Sequence, residues 1–256
     1  MKALFINSSH RANGNTAIAL ASLERAMLET GDAAIATIRL AEKDLKTCRG
    51  CRLCFDEGEE SCPLKDDLLA IRRRIAEAEV LVLGSPVYVE DVNGVMKNWI
   101  DRMAFTCHRP AFFGKSAYVL STSGGGASRH ALATMDRALR TWGFAIVGGS
   151  TFVAGAKIEP SEFDAKYGAR MAAVAGKLRA ALEAREGPSF LALMTFAIQK
   201  MYYLKENATE SYDFRYWKGK GWLEKERAYY DSRPASGLKA AAARIAGRLV
   251  ARIFLR

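Results

Sequence analysis

The chain has 256 residues, half of them hydrophobic, with a formal net charge of +10. That apolar share excludes a disordered or fibrous polymer, and the length suits one ordinary domain plus an extension. The positive charge alone would admit a nucleic-acid partner, but the chain carries no nucleic-acid motif and none is expected as a partner.

In chain order, Ala3–Asn7 reads as a buried strand and Ala17–Glu29 as a helix, with the polar run Ser8–Thr16 between them. Ala34–Leu40 reads as a second strand, and residues 41–66 as a long loop. Asp67–Ala78 reads as a helix with Leu68, Leu69, Ile71 and Ile75 inward. Val80–Ser85 is apolar at nearly every position, as a central parallel strand must be. A helix over Val92–Met103, a strand over Ser116–Ser121, a helix over Arg129–Trp142, a strand over Ala145–Val153 and a helix over Ser161–Glu186 follow. Alternation of this kind predicts an α/β fold: a doubly wound, five-stranded parallel sheet in the order 2-1-3-4-5, with ligands bound beyond the carboxyl ends of its strands. The boundary falls at Gly187-Pro188, so residues 1–186 are expected as the sheet domain and 187–256 as a helical, basic extension.

Three loops fall at those strand ends. In the first, Ser9, Arg11, Asn13, Asn15 and Thr16 precede a helix whose leading N–H groups lack intrahelical partners, an arrangement that binds anions. Neither the Gly-Lys-Ser/Thr of an ATP loop nor a dinucleotide glycine fingerprint is present, which favours a phosphate monoester. The second loop holds Pro86, Val87, Tyr88 and Val89, where Pro86 stiffens the turn and the tyrosine ring can lie beside a flat ligand. The third holds Ser123, Gly124, Gly125 and Gly126, whose unobstructed N–H groups suit the polar edge of a heterocycle.

The runs SSHRANGNT, GSPVYVEDVNGVMKNWIDR and TSGGG together resemble the flavin-binding segments of the flavodoxin-like NADPH-dependent FMN reductases and quinone reductases. The resemblance covers about residues 1–185. It implies FMN, held by its phosphate at Ser9, Arg11, Asn13, Asn15 and Thr16, along its ribityl chain and ring at Pro86, Val87, Tyr88 and Val89, and at the ring edge by Ser123 and Gly124–Gly126. It further implies NAD(P)H as electron donor and a quinone, a flavin or another small molecule as acceptor. No catalytic acid or base is named, because the flavin carries the redox step; His108 is expected in a structural or surface role. Val89 stands where such proteins have Trp or Phe, and Glu90 and Asp91 where many have small residues.

Five cysteines, four of them between positions 48 and 62, suit a reduced compartment and a metal or redox site. Cys48, Cys51, Cys54 and Cys62 follow C-x2-C-x2-C-x7-C-P, a spacing open to a [4Fe–4S] cluster, to zinc or to metal-free thiols. It is similar to the motif of iron–sulfur flavoproteins, a resemblance that implies a cluster relaying electrons from ferredoxin to FMN. A non-enzymatic flavin-binding electron carrier is the third reading. Cys107 is expected to be buried and inert.

In the extension, the aromatics of 212–222 are expected to pack as a cover or a subunit contact, and a homo-oligomer is expected. Residues 236–256 contain no acidic residue and place Arg244, Arg248, Arg252 and Arg256 along one helix face, which suits an anionic membrane surface. Met1–Asn7 does not read as a secretory leader, and Phe190–Ile198 is too short to span a bilayer. A cytoplasmic location follows, peripheral to the membrane if the basic helix binds there.

Overall fold

The computed structural model describes residues 1–126, 129–184, 186–205, 211–233 and 235–254. The elements in chain order are β1 (Lys2–Asn7), α1 (Asn15–Glu29), β2 (Ala34–Arg39), α2 (Leu53–Asp56), α3 (Leu68–Glu77), β3 (Val80–Tyr88), β4 (Asp91–Val92), α4 (Gly94–Arg102) and α5 (Phe105–His108). They continue with β5 (Ser116–Ser123), α6 (Arg129–Thr141), β6 (Ala145–Val153), α7 (Pro160–Ala184), α8 (Phe190–Lys205), α9 (Tyr212–Gly219) and α10 (Gly237–Phe254). Two compact units result. The first comprises Met1–Cys48, Asp66–Met103 and Gly114–Arg185; the second comprises Arg49–Lys65, Ala104–Phe113 and Glu186–Arg256.

In the first unit five parallel strands run in the order β2-β1-β3-β5-β6, the arrangement expected for the parallel strands. One pairing was not expected. β3 continues through Pro86 to Tyr88 and turns back as the two-residue antiparallel β4, pairing Val87 with Val92 and Tyr88 with Asp91. The start of the helix expected at Val92 therefore moves to Gly94, and Asn93 caps it by accepting a hydrogen bond from the Met96 N–H. Ala3–Ile6 and Val80–Leu83 are buried throughout, because helices cover both faces of the sheet. Phe5, Leu20, Leu23, Met27, Val82, Phe152 and Phe163 share one core. A Cβ at Gly84 would lie 3.0 Å from the Leu20 side chain and 3.1 Å from that of Thr16. That close approach seats the first turn of α1 directly on the carboxyl end of β3.

The second unit gathers an aromatic core of its own: Phe196, Tyr203, Trp217, Trp222, Tyr229 and Tyr230 are all buried. Trp217 and Trp222 meet edge to face at 5.1 Å, and the Trp222 indole N–H donates to the Tyr230 carbonyl at 3.0 Å. Within the aromatic stretch 212–222, Trp217 and Trp222 are therefore core residues. The unit also recruits residues 49–65 and 104–113, so it is more than the C-terminal stretch alone. α8 and α10 pack tightly enough that a Cβ at Gly247 would sit 2.7 Å from the Ala197 Cβ. Among the described residues no helix is long and apolar enough to cross a membrane.

Candidate functional site

The loops at the carboxyl ends of the strands are bonded to one another. The Ser8 N–H and hydroxyl both donate to the Gly84 carbonyl, at 3.0 and 3.3 Å. Asn93 donates from Nδ2 to the Ser8 carbonyl at 2.7 Å, and its own N–H donates to the Ser85 hydroxyl at 3.3 Å. The hydroxyls of Thr16 and Thr122 lie 2.7 Å apart, joining the first turn of α1 to the end of β5. The first, second and third loops thus form one rim of the first unit. A fourth loop joins them through Asn15, which donates to the Ala154 and Gly155 carbonyls at 3.3 and 3.0 Å and accepts from the Ile158 N–H at 3.1 Å.

Asn93 and residues 154–158 were missed as rim-builders in the sequence. Asn93-Gly94 before an amphipathic helix carries a capping signal, but nothing local points it at Ser8. Of the expected phosphate ligands, Ser9 is buried, with its N–H on Asn7 Oδ1 and its hydroxyl accepting from the Arg11 N–H. Thr16 is buried, and Arg11 and Asn13 are exposed. The Asn15 side chain has both ends engaged within the protein, which leaves its backbone N–H for a ligand.

Pro86 and Val87 are half-buried, Tyr88 is 49 % exposed, and Val89 is 99 % exposed at the tip of the β3–β4 turn. Val89 and Glu90 adopt φ angles of 48° and 67°, a region that β-branched residues rarely enter. Asp91 steadies the turn by accepting from the Val92 N–H at 2.7 Å and the Thr134 hydroxyl at 3.0 Å.

FMN fits this rim on three observations. α1 opens at Gly14 with no side-chain cap, leaving its leading N–H groups for a phosphate. The Ser123 hydroxyl oxygen is buried with no hydrogen-bond partner among the described residues. Nothing would meet a Cβ at Gly125 or Gly126.

The mouth of the cysteine loop is held within the first unit. Arg102, on α4, and Asp66 form a buried pair, with Nη1 to Oδ2 at 2.5 Å and Nη2 to Oδ1 at 3.1 Å. Arg102 also donates to the Lys46 carbonyl at 2.7 Å, and the Lys46 N–H donates back to Asp66 at 3.0 Å. Burial pushes the Asp66 carboxyl up, but hydrogen bonds from Arg102 and the N–H groups of Leu68 and Lys46 outweigh it and hold its pKa below the usual value. Asn98 accepts from the Cys48 N–H at 3.2 Å and donates to the Leu45 and Lys46 carbonyls.

Residues 49–65 are anchored separately in the second unit. The buried Arg109 donates to the Cys54 carbonyl at 2.6 Å, to Glu59 at 3.1 Å and to Asp213. Asp213 lies 2.6 Å from His108 Nδ1, and the His108 side chain is about half exposed.

Cys48 and Cys51 are exposed, and Cys54, Cys62 and Cys107 are half-buried, the last less sheltered than expected. The donor set has the chemistry of an iron–sulfur cluster. Among the described residues, however, no three His, Cys, Asp or Glu side chains are gathered to hold a metal.

A doubly wound parallel sheet with such a rim has flavodoxin-like architecture, and the family and relatives that the chain matches make it a flavin-dependent oxidoreductase. The chain belongs to the NADPH-dependent FMN reductase family, which its residues 1–159 match. It is 30 % identical over 231 residues to an iron–sulfur flavoprotein of Archaeoglobus fulgidus, covering 87 % of this chain and 100 % of that protein. Among solved structures it resembles RosB, determined with bound 8-demethyl-8-formylriboflavin-5'-phosphate, at TM-score 0.58 and 15 % identity over 73 % of this chain and 82 % of RosB. It also resembles the NADH:FMN oxidoreductase EMOB, at TM-score 0.52 and 20 % identity over 71 % of this chain and 89 % of that one. At those identities the two structures speak for the fold alone.

Proposed function

We propose that the protein is an FMN-dependent NAD(P)H oxidoreductase that passes electrons to a quinone, a free flavin or another small acceptor. The observation that carries this reading is the hydrogen-bonded rim, in which Ser8–Gly84, Asn93–Ser8 and Thr16–Thr122 bring the three loops together. Bound FMN would supply the redox chemistry, and the protein its placement. Ser9, Arg11, Asn13, Thr16 and the N–H groups opening α1 would hold the phosphate. Pro86, Val87 and Tyr88 would flank the ring, and Ser123 with Gly124–Gly126 would meet its polar edge. Val89, projecting into solvent, would border the acceptor side. No side chain here is assigned a proton.

A second reading is favoured by the match along the whole length of an iron–sulfur flavoprotein and by the exposure of Cys48 and Cys51. In it, Cys48, Cys51, Cys54 and Cys62 ligate a [4Fe–4S] cluster and ferredoxin is the donor. The cysteine usage supports a reducing compartment such as the cytoplasm for either activity. An anaerobic absorption spectrum of the purified protein tests both. Bound FMN bleached by NADPH, with no iron, supports the first; about four iron and four labile sulfide per chain supports the second. Colourless protein that fails to take up added FMN overturns both.

A further inference from the structure

Helix α10 has two opposite apolar faces, and its own unit uses only one. Ala243, Gly247 and Ala251 are buried, and Gly247 sits against Ala197 and the Met194 carbonyl of α8. On the other side Leu238, Ile245, Leu249 and Ile253 stand 87, 59, 55 and 65 % exposed, in line at helical spacing. A helix that has already buried one seam ordinarily turns polar residues to water. A second apolar stripe marks a surface with a partner.

Charge indicates which partner. Arg244, Arg248 and Arg252 run along one flank of the stripe, and residues 236–256 contain no acidic residue. Among the described residues none of the three arginines is ion-paired. Arg244 and Arg248 lie close enough to Lys200 of α8 that, after burial, they are the main causes lowering its pKa; Glu224 and Glu226 oppose them only in part. A second copy of the same face would bring arginines and no carboxylate, so self-association leaves that charge unmatched. At 18 residues, with charge along a flank, α10 has the form of a helix that lies in an interface plane rather than one that crosses it.

We propose that the outer face of α10 docks on an anionic lipid surface, with Leu238, Ile245, Leu249 and Ile253 entering the headgroup–acyl boundary and the arginine column on lipid phosphates. The test is co-sedimentation of the full-length protein with vesicles of phosphatidylcholine alone or mixed with phosphatidylglycerol. Binding is expected to the mixed vesicles only, falling as salt rises. Replacing Arg244, Arg248 and Arg252 together by Gln is expected to weaken it by roughly a hundredfold. The double variant Ile245→Asp, Leu249→Asp is expected to abolish it while leaving the circular dichroism spectrum unchanged. Equal binding to both vesicle types, or binding indifferent to both variants, overturns the proposal. So does a concentration-dependent dimer that the double variant dissolves, which would make the face a self-contact.

Discussion

Arg11 and Asn13 reach solvent beside the start of α1, whereas the side chains of Asn15 and Asn93 are consumed in holding the rim. This division separates residues whose loss affects a ligand from residues whose loss affects the fold. Arg11→Ala is expected to raise the FMN dissociation constant about tenfold or more, the usual weight of a charge-assisted hydrogen bond. Its melting temperature should stay at the wild-type value. Flavin fluorescence titration reads the first, and an unchanged constant would move the phosphate elsewhere. Asp66 is the opposite case. Its folded pKa lies below the ordinary 3.8, so its stabilisation is complete above that value and is lost as the pH falls through the folded pKa. Asp66→Asn leaves Arg102 buried without its partner and is expected to cost about 3–5 kcal/mol at neutral pH. Urea denaturation at a series of pH values should show the gap between wild type and variant narrowing as the pH falls below about 4, because the unfolded carboxyl then takes up a proton while the folded one stays charged, and closing once the folded carboxyl is neutral too.

Between elements, the β3–β4 turn is the feature most at odds with local preference. A two-residue turn with positive φ at both central positions favours Asn-Gly, and this chain places Val89 and Glu90 there. The turn forms because Val87 pairs with Val92 and Asp91 is held by Thr134, which together over-determine it. The double variant Val89→Asn, Glu90→Gly is expected to stabilise the protein by about 1–2 kcal/mol in urea denaturation. A loss of stability would mean that the side chains, and not the backbone, hold the turn. The sequence suggested a loop here because neither turn residue carries the signal for a hairpin. The sheet strands and the long helices were legible to within a few residues, since apolar runs and helical periodicity are written locally: Val80–Leu83 reads as a central strand and is one, and Ala145–Val153 is a strand end to end, whereas the short α2, α5 and α9 carry too few turns for a period and were not read.

Across the whole molecule, the pairings that matter most join residues far apart in the chain. Arg109 gathers Cys54, Glu59 and Asp213, and in doing so ties the cysteine segment to α9. Arg109→Leu strands Asp213 and is expected to destabilise the second unit by about 3–5 kcal/mol. The near-ultraviolet signal of Trp217 and Trp222 and proteolysis within residues 49–65 should report it together. Nothing in the spacing of these residues announces the cluster, because a contact between positions 109 and 213 depends on how α5 and α9 are folded against each other. By itself the sequence determined the parallel strands and their order, the three loops at the strand ends, the spacing of the four cysteines and the basic face of the last helix, all of which are local patterns. Only the tertiary structure decided that Asn93 and Asn15 lock the rim, that the cysteine segment is built into the second unit, and that α10 buries alanines while exposing its larger apolar residues. Those outcomes are hydrogen bonds and packing between distant segments, and their energies appear only once the chain has closed.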